Sequence, residues 1–156
     1  CLIDWLPKNL PSEKRTGIVH GDYSLTNVMI GKYDPNVIAI LDWELSTLGD
    51  PCADFNYHCL QYIMNPKLAD KDYCRNQGIP VIDEYVKMYS EKINVDLTEE
   101  WDLYSAYNLF KLAGILQGIL GRVRDGTAAH ENAAERASGV RNLSDKAWDL
   151  VKKNFL

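Results

Sequence analysis

An excess of positive charge is the first thing this 156-residue chain lacks: 17 Lys and Arg stand against 22 Asp and Glu, for a net charge of -5. Nucleic acid is therefore an unfavoured main partner, because phosphate backbones are held by basic surfaces. Long apolar runs are missing too. The most apolar stretch, Leu112 to Leu120, is interrupted by Gln117 and bracketed by Lys111 and Arg122, which argues against a membrane span. Cys1, Cys52, Cys59 and Cys74 form no C-x-x-C pair and show no zinc-type spacing with histidine. Reduced thiols in an intracellular protein are expected, in the cytoplasm first, with mitochondrion and peroxisome left open. No secretory or transit signal opens the sequence, and no repeat, low-complexity run or internal linker interrupts it. A starting methionine is absent as well, so the chain is expected to be a piece of something longer.

What is present is one domain's worth of ordinary globular composition, 46% hydrophobic and 25% charged, enough to bury a core. Leu2, Ile3, Trp5 and Leu6 suit the last turns of a helix stopped near Pro7 and Pro11, and Gly17 to His20 a short extended segment. After Asp50-Pro51, apolar residues at Cys52, Phe55, Cys59, Tyr62 and Ile63 recur at helical spacing, with proline suited to the first helical position. Asn65 to Gly78 reads as a polar, turn-rich loop with about one helical turn in it. Pro80 is expected to open a helix with Val81, Tyr85, Met88 and Tyr89 on one face. Thr98, with Glu99 and Glu100 after it, is expected to cap a long, buried helix reaching about Val123. Ala128 to Ser138 is helical by propensity, and Ser144 is expected to cap a last helix with Ala147, Trp148, Val151 and Phe155 inward. The outline is a small hairpin followed by a mostly helical bundle.

The stretch from His20 to Asp54 carries the chemistry. Val28 to Ile30 and Val37 to Leu41 flank the turn formers Gly31 to Asn36, a hairpin signal. A turn centred near Asp34 and Pro35 pairs Ile30 with Ala39, Val28 with Leu41, and Asn27 with Asp42. An amide oxygen and a carboxylate then sit on neighbouring strands roughly 5 Å apart, where they could share a small hard cation. Asp22, in the loop feeding the first strand, brings a third oxygen-bearing side chain to that end. The order of Asp22, Asn27 five residues on, and Asp42 on the next strand matches the parts of kinase-type phosphoryl transfer. Magnesium prefers few protein oxygens plus phosphates, which Asn27 and Asp42 would supply. Asp22 would accept a hydrogen bond from a substrate hydroxyl and take its proton late. His20 stands beside Asp22 among the catalytic candidates, with shaping of the aspartate's turn favoured over proton transfer.

His20-Gly21-Asp22, Asn27, Ile40-Leu41-Asp42-Trp43-Glu44 and Gly49-Asp50-Pro51-x-x-Asp54 together resemble the signature of the aminoglycoside phosphotransferase and choline kinase superfamily. The wording around Leu41 to Pro51, with Gln117-Gly118-Ile119-x-Gly121-Arg122, is most similar to the kinase-like domains of the larger acyl-CoA dehydrogenase family proteins ten and eleven. The resemblance implies an α+β, mainly helical fold over residues 1–156: the C-terminal lobe of a protein kinase-like fold, with the hairpin carrying the site. It implies Asp22 as catalytic aspartate, Asn27 and Asp42 as Mg2+ ligands, and ATP as phosphoryl donor. Asp54 would brace the catalytic loop, Gly21 would support it, and Glu44 would line the substrate or metal pocket. Fusion to, or association with, an acyl-CoA dehydrogenase domain is implied as well.

Gly21 stands where protein kinases commonly carry an arginine, and no room exists between Asp42 and Pro51 for an activation segment. Both favour a small-molecule hydroxyl acceptor over a peptide. No G-x-G-x-x-G precedes His20, so the N-terminal nucleotide-binding lobe is expected to lie outside this chain, leaving the 156 residues nearly inactive alone. The acceptor stays open between an aminoglycoside, a choline-like amine and a hydroxyacyl-CoA. Acids from Asp83 to Asp102 would suit a cation, though a solvated helix face explains them better. Arg122 and Arg124 would suit an anionic ester, or simply complement a helix C-terminus. The rival is a non-catalytic kinase-like binding or scaffold module; a hydrolase is a distant third.

Overall fold

The computed structural model of the chain describes residues 2–10, 15–127, 135 and 138–156, in two compact units, residues 11–101 and residues 1–10 with 102–156. In chain order the elements begin with α1 (Leu2–Asn9), β1 (Gly17–Val19), β2 (Val28–Ile30), β3 (Val37–Ile40) and β4 (Thr47–Gly49). Helices follow: α2 (Pro51–Cys59), α3 (Gln61–Met64), α4 (Pro66–Ala69), α5 (Lys71–Asn76), α6 (Ile82–Ile93), α7 (Trp101–Arg124) and α8 (Val140–Phe155). The fold is mainly helical with a small β-hairpin, and no helix among the described residues is long and apolar enough to cross a membrane.

In the unit of residues 11–101 the strands form two antiparallel pairs. The pairing of β1 with β4, Ile18 opposite Leu48, was not foreseen, because three-residue strands leave almost no periodic signal. The hairpin of β2 and β3 is present, but its register corrects the expected one. Val28 pairs with Ile40 and Met29 with Ala39, whereas Ile30 pairs with Val37, so Ile38 bulges out of the ladder. The turn closes earlier than expected, with the Gly31 N–H donating to the Asn36 carbonyl at 3.0 Å. Asn27 therefore faces Leu41, whose N–H donates to the Asn27 carbonyl at 2.8 Å, and Asp42 lies one residue beyond the pair.

Helix α2 starts where Asp50 and Pro51 predicted. The Asp50 carboxylate accepts from the Cys52 N–H at 2.9 Å, satisfying a donor that the first turn leaves over. The same carboxylate takes Arg15 Nε and Nη2, and Arg15 Nη2 also donates to Glu100. One arginine thus ties the lead into β1, the cap of α2 and the turn before α7. Behind them Cys52, Phe55, Cys59, Leu60, Cys74, Val81 and Leu97 are buried. Phe55 stacks on Tyr89 with ring centres 3.8 Å apart and meets Tyr85 edge-on at 5.2 Å.

Several helix boundaries differ from expectation. Asn65 to Gly78 holds two short helices, each capped by an Asx side chain: Asn65 accepts from Lys67 N–H, and Asp70 from Asp72 and Tyr73 N–H. Helix α6 begins at Ile82, two residues after Pro80, and Met88 is exposed on it. Thr98 does not cap α7. Its hydroxyl donates to Asp96 at 2.7 Å, while Glu100 engages Arg15, and the helix begins only at Trp101.

In the other unit, α7 buries Leu103, Tyr104, Ala106, Leu109 and Ala113, and α8 buries Leu143, Ala147 and Val151. The buried residues of α7 stop at Ala113, so the helix is less buried than its composition suggested. Pro7 lies inside α1 without stopping it, and Trp5 of that helix meets Phe155 of α8 with ring centres 5.4 Å apart. Ser144 sits within α8, which starts at Val140 after Gly139. The alanine-rich stretch expected to be helical falls almost entirely outside the described residues.

Candidate active site

The loop from His20 to Asp22 is held by groups that accept what its backbone must donate. Asp54, in the first turn of α2, accepts the His20 N–H and, at 3.0 Å, the Gly21 N–H. Its two oxygens thus serve two consecutive donors, a charge-assisted arrangement stronger than neutral pairing. His20 is 3% exposed and spends both ring nitrogens on backbone. Nδ1 faces the Asp22 N–H at 3.2 Å and Nε2 faces the Leu41 carbonyl at 2.7 Å. A donor on one side and an acceptor on the other place the proton on Nε2. The histidine stitches the loop to the end of β3, and neither nitrogen is left for a substrate.

Gly21 has φ +87°, and a Cβ there would stand 2.5 Å from the Leu45 carbonyl oxygen. Only glycine tolerates both the torsion and the approach. The loop therefore turns sharply at Gly21 and presents Asp22 half-buried at its edge.

Asn27 closes a short 3-10 turn, Leu25–Asn27, just before β2. Its Nδ2 donates to the Asp22 carbonyl at 3.0 Å and to the Asp22 carboxylate at 3.3 Å. The amide is thereby oriented with Oδ1 uncommitted to Asp22. Asp42, at the end of β3, adopts φ 67° and ψ 52°, one of two non-glycine residues at positive φ among those described. Aspartate enters this left-handed region more readily than most residues, yet at a cost that tends to be met at functional sites. The Asp42 side chain is exposed, and no hydrogen bond or ion pair of the described residues engages it. Glu44 is exposed in the 3-10 turn Trp43–Leu45, and no hydrogen bond ties it to Asp22, Asn27 or Asp42. Trp43 covers His20, ring centres 4.7 Å apart, with Nε1 donating to the Ile40 carbonyl at 2.8 Å.

Tyr57 went unnoticed in the sequence. Burial, together with the negative charge of Asp22, pushes its phenol up to about 12. The available signal was its spacing, three residues after Asp54 on a helix, which puts both on one face. Tyr23, next to Asp22, meets the His58 ring at 5.5 Å, and burial lowers the imidazole of His58 below its ordinary value. Among the described residues no group of three or more His, Cys, Asp and Glu side chains forms a protein-only metal cage.

A helical lobe bearing a strand hairpin, with an aspartate loop, a bonded asparagine and a further aspartate at the hairpin's open end, defines a kinase-like phosphotransferase fold. Residues 1–107 match the phosphotransferase enzyme family, and the chain belongs to that family. It is 38% identical to mouse acyl-CoA dehydrogenase family member 10 over 97% of its length, and 33% identical to human acyl-CoA dehydrogenase family member 11 over 99%. It spans only 15% and 20% of those two proteins. A crystal structure of a presumed aminoglycoside phosphotransferase from Ralstonia eutropha superposes with a TM-score of 0.88 at 40% identity, covering 99% of this chain and 49% of that one.

Proposed function

We propose that this chain is the C-terminal lobe of an ATP-dependent phosphotransferase that moves the γ-phosphoryl group to the hydroxyl of a small molecule. The observation that carries the reading is the joined Asp22 and Asn27 at the loop, with Asp42 held at positive φ at the end of β3. Asp22 accepts the acceptor's hydroxyl hydrogen, aligns its oxygen and takes the proton as the bond to phosphorus forms. His20, Gly21 and Asp54 fix the loop from behind.

The donor set fits magnesium: an amide oxygen and a carboxylate are hard ligands, and two of them suit an ion that shares its shell with phosphates and water. Asn27 and Asp42 are the residues that would hold it. Bound there, the ion would neutralise charge on the transferring phosphates.

A nucleotide-binding lobe is required besides this one. The surface suited to it is the strand region, where Ile18 and Leu48, a directly opposed pair, are 69% and 74% exposed and Met29, Ile30, Val37 and Ile38 are exposed as well. Apolar exposure concentrated in so short a stretch marks a contact surface. The lobe's larger context is an acyl-CoA dehydrogenase polypeptide, as in the relatives above. An intracellular setting fits the three free, buried thiols among the described residues, of which Cys52 and Cys59 are pushed by burial up to about 12 and are inert.

The test is a panel of hydroxylated acceptors, aminoglycosides, choline-like amines and hydroxyacyl-CoA esters, offered with ATP to the full-length protein. Magnesium-dependent phosphorylation abolished by Asp22→Ala is expected, with hardly any transfer by residues 1–156 alone. Absence of magnesium-dependent nucleotide binding by the full-length protein would instead assign a non-catalytic binding module.

A further inference from the structure

Among the described residues no hydrogen bond or ion pair engages the carboxylate of Asp42, so its placement rests on the backbone that carries it. That backbone is in an unfavoured state. With φ 67° and ψ 52° it lies in the left-handed region, which is disfavoured about five- to thirtyfold for most L-residues.

What holds it there is the residue that follows. Trp43 turns back across Asp42, and its Nε1–H donates to the Ile40 carbonyl at 2.8 Å, while the indole lies against the His20 ring with centres 4.7 Å apart. Both partners stand on the other side of the Asp42 torsions from Trp43. Rotating Asp42 out of the left-handed region would swing the indole away from both, so the two contacts belong to this state and stabilise it in return.

Neighbouring bonds fix the frame on which the indole acts. The Leu41 N–H donates to the Asn27 carbonyl at 2.8 Å, the Leu41 carbonyl faces His20 Nε2 at 2.7 Å, and the Ser46 N–H closes on the Trp43 carbonyl at 2.9 Å. His20 in turn meets the Asp22 N–H through Nδ1 at 3.2 Å. One histidine is thus shared by the loop that carries Asp22 and the turn that carries Asp42.

We infer that Trp43 is a positioning residue for the metal aspartate, its indole N–H holding Asp42 at positive φ and tying that torsion to the Asp22 loop; this rests on the phosphotransferase reading. The ring alone would not suffice. Phenylalanine can cover His20 but has no N–H for Ile40, so Trp43→Phe removes the hold and keeps the packing.

In the full-length protein, hydrogen exchange read by mass spectrometry over residues 40–48 should run about three- to tenfold faster in Trp43→Phe than in wild type, the share of one hydrogen bond at an exposed site, while α6 exchanges as before. In an Asp42→Gly background, where positive φ needs no help, the same substitution should accelerate exchange far less. Electron paramagnetic resonance of Mn2+ in the presence of ATP should show the nucleotide-dependent site weakened about three- to tenfold by Trp43→Phe. Unchanged exchange overturns the hold whatever the metal does, and so does an equal acceleration in the Asp42→Gly background, which would leave Trp43 only a packing role. Faster exchange with wild-type Mn2+ affinity overturns the positioning role. A wild-type protein without a nucleotide-dependent Mn2+ site instead removes the phosphotransferase reading and the metal role with it, and the exchange result still decides the hold.

Discussion

Asp54→Asn is the sharpest probe of how the loop is held. The aspartate offers one oxygen to the His20 N–H and the other to the Gly21 N–H. Asparagine has the same shape but one acceptor, and its amide nitrogen would point a donor at a donor. One charge-assisted bond, worth about 1.5–3 kcal/mol, is lost outright, and the remaining one weakens to the neutral range of about 1 kcal/mol. Because the pair is only part-buried, a total near 2–4 kcal/mol is reasonable. For a domain of this length each kcal/mol moves the midpoint by roughly 2–4 °C. Thermal unfolding followed by far-UV circular dichroism should therefore show Tm lower by about 5–15 °C, while Asp72→Asn on the exposed face of α5 leaves it alone. An Asp54→Asn midpoint within a degree of wild type would refute the claim that these two bonds hold the loop.

Gly21→Ala must bring a Cβ to 2.5 Å from the Leu45 carbonyl and hold alanine at positive φ, so a loss of about 1–3 kcal/mol from the torsion alone is expected in urea unfolding. Burial lowers the pKa of His58, so as pH falls the unfolded chain binds that proton first. Stability is then complete above the unfolded value near 6.5 and declines below it; His58→Gln should flatten that acid limb relative to wild type in a pH series of unfolding curves. If the acceptor is an acyl-CoA, reversing charge with Arg122→Glu in the full-length protein should raise its KM and leave that for an amine untouched; an unchanged acyl-CoA KM would argue against that substrate class.

The sequence made the site's parts readable because they lie close together: the loop, the hairpin and the start of α2 occupy residues 20 to 54, and turn and cap residues have local causes. The register was not readable. It depends on where the turn closes and on one bulged residue, Ile38, and such a one-residue shift changes what stands opposite Asn27. The left-handed backbone at Asp42 is equally silent in sequence, because aspartate is found in many conformations. The start of α7 was misplaced for a tertiary reason: Glu100 is drawn to Arg15, 85 residues earlier, and Thr98 finds Asp96. Tyr57 escaped notice because a tyrosine on a half-buried helix face reads as packing until the charge near it is known.

The most direct measurement uses Mn2+ in place of magnesium in the full-length protein, with electron paramagnetic resonance reporting the ion's binding in the presence of ATP, for wild type, Asn27→Ala and Asp42→Asn. The account predicts one nucleotide-dependent Mn2+ site in wild type, weakened at least about tenfold in each variant. Wild-type Mn2+ binding in both variants would contradict it.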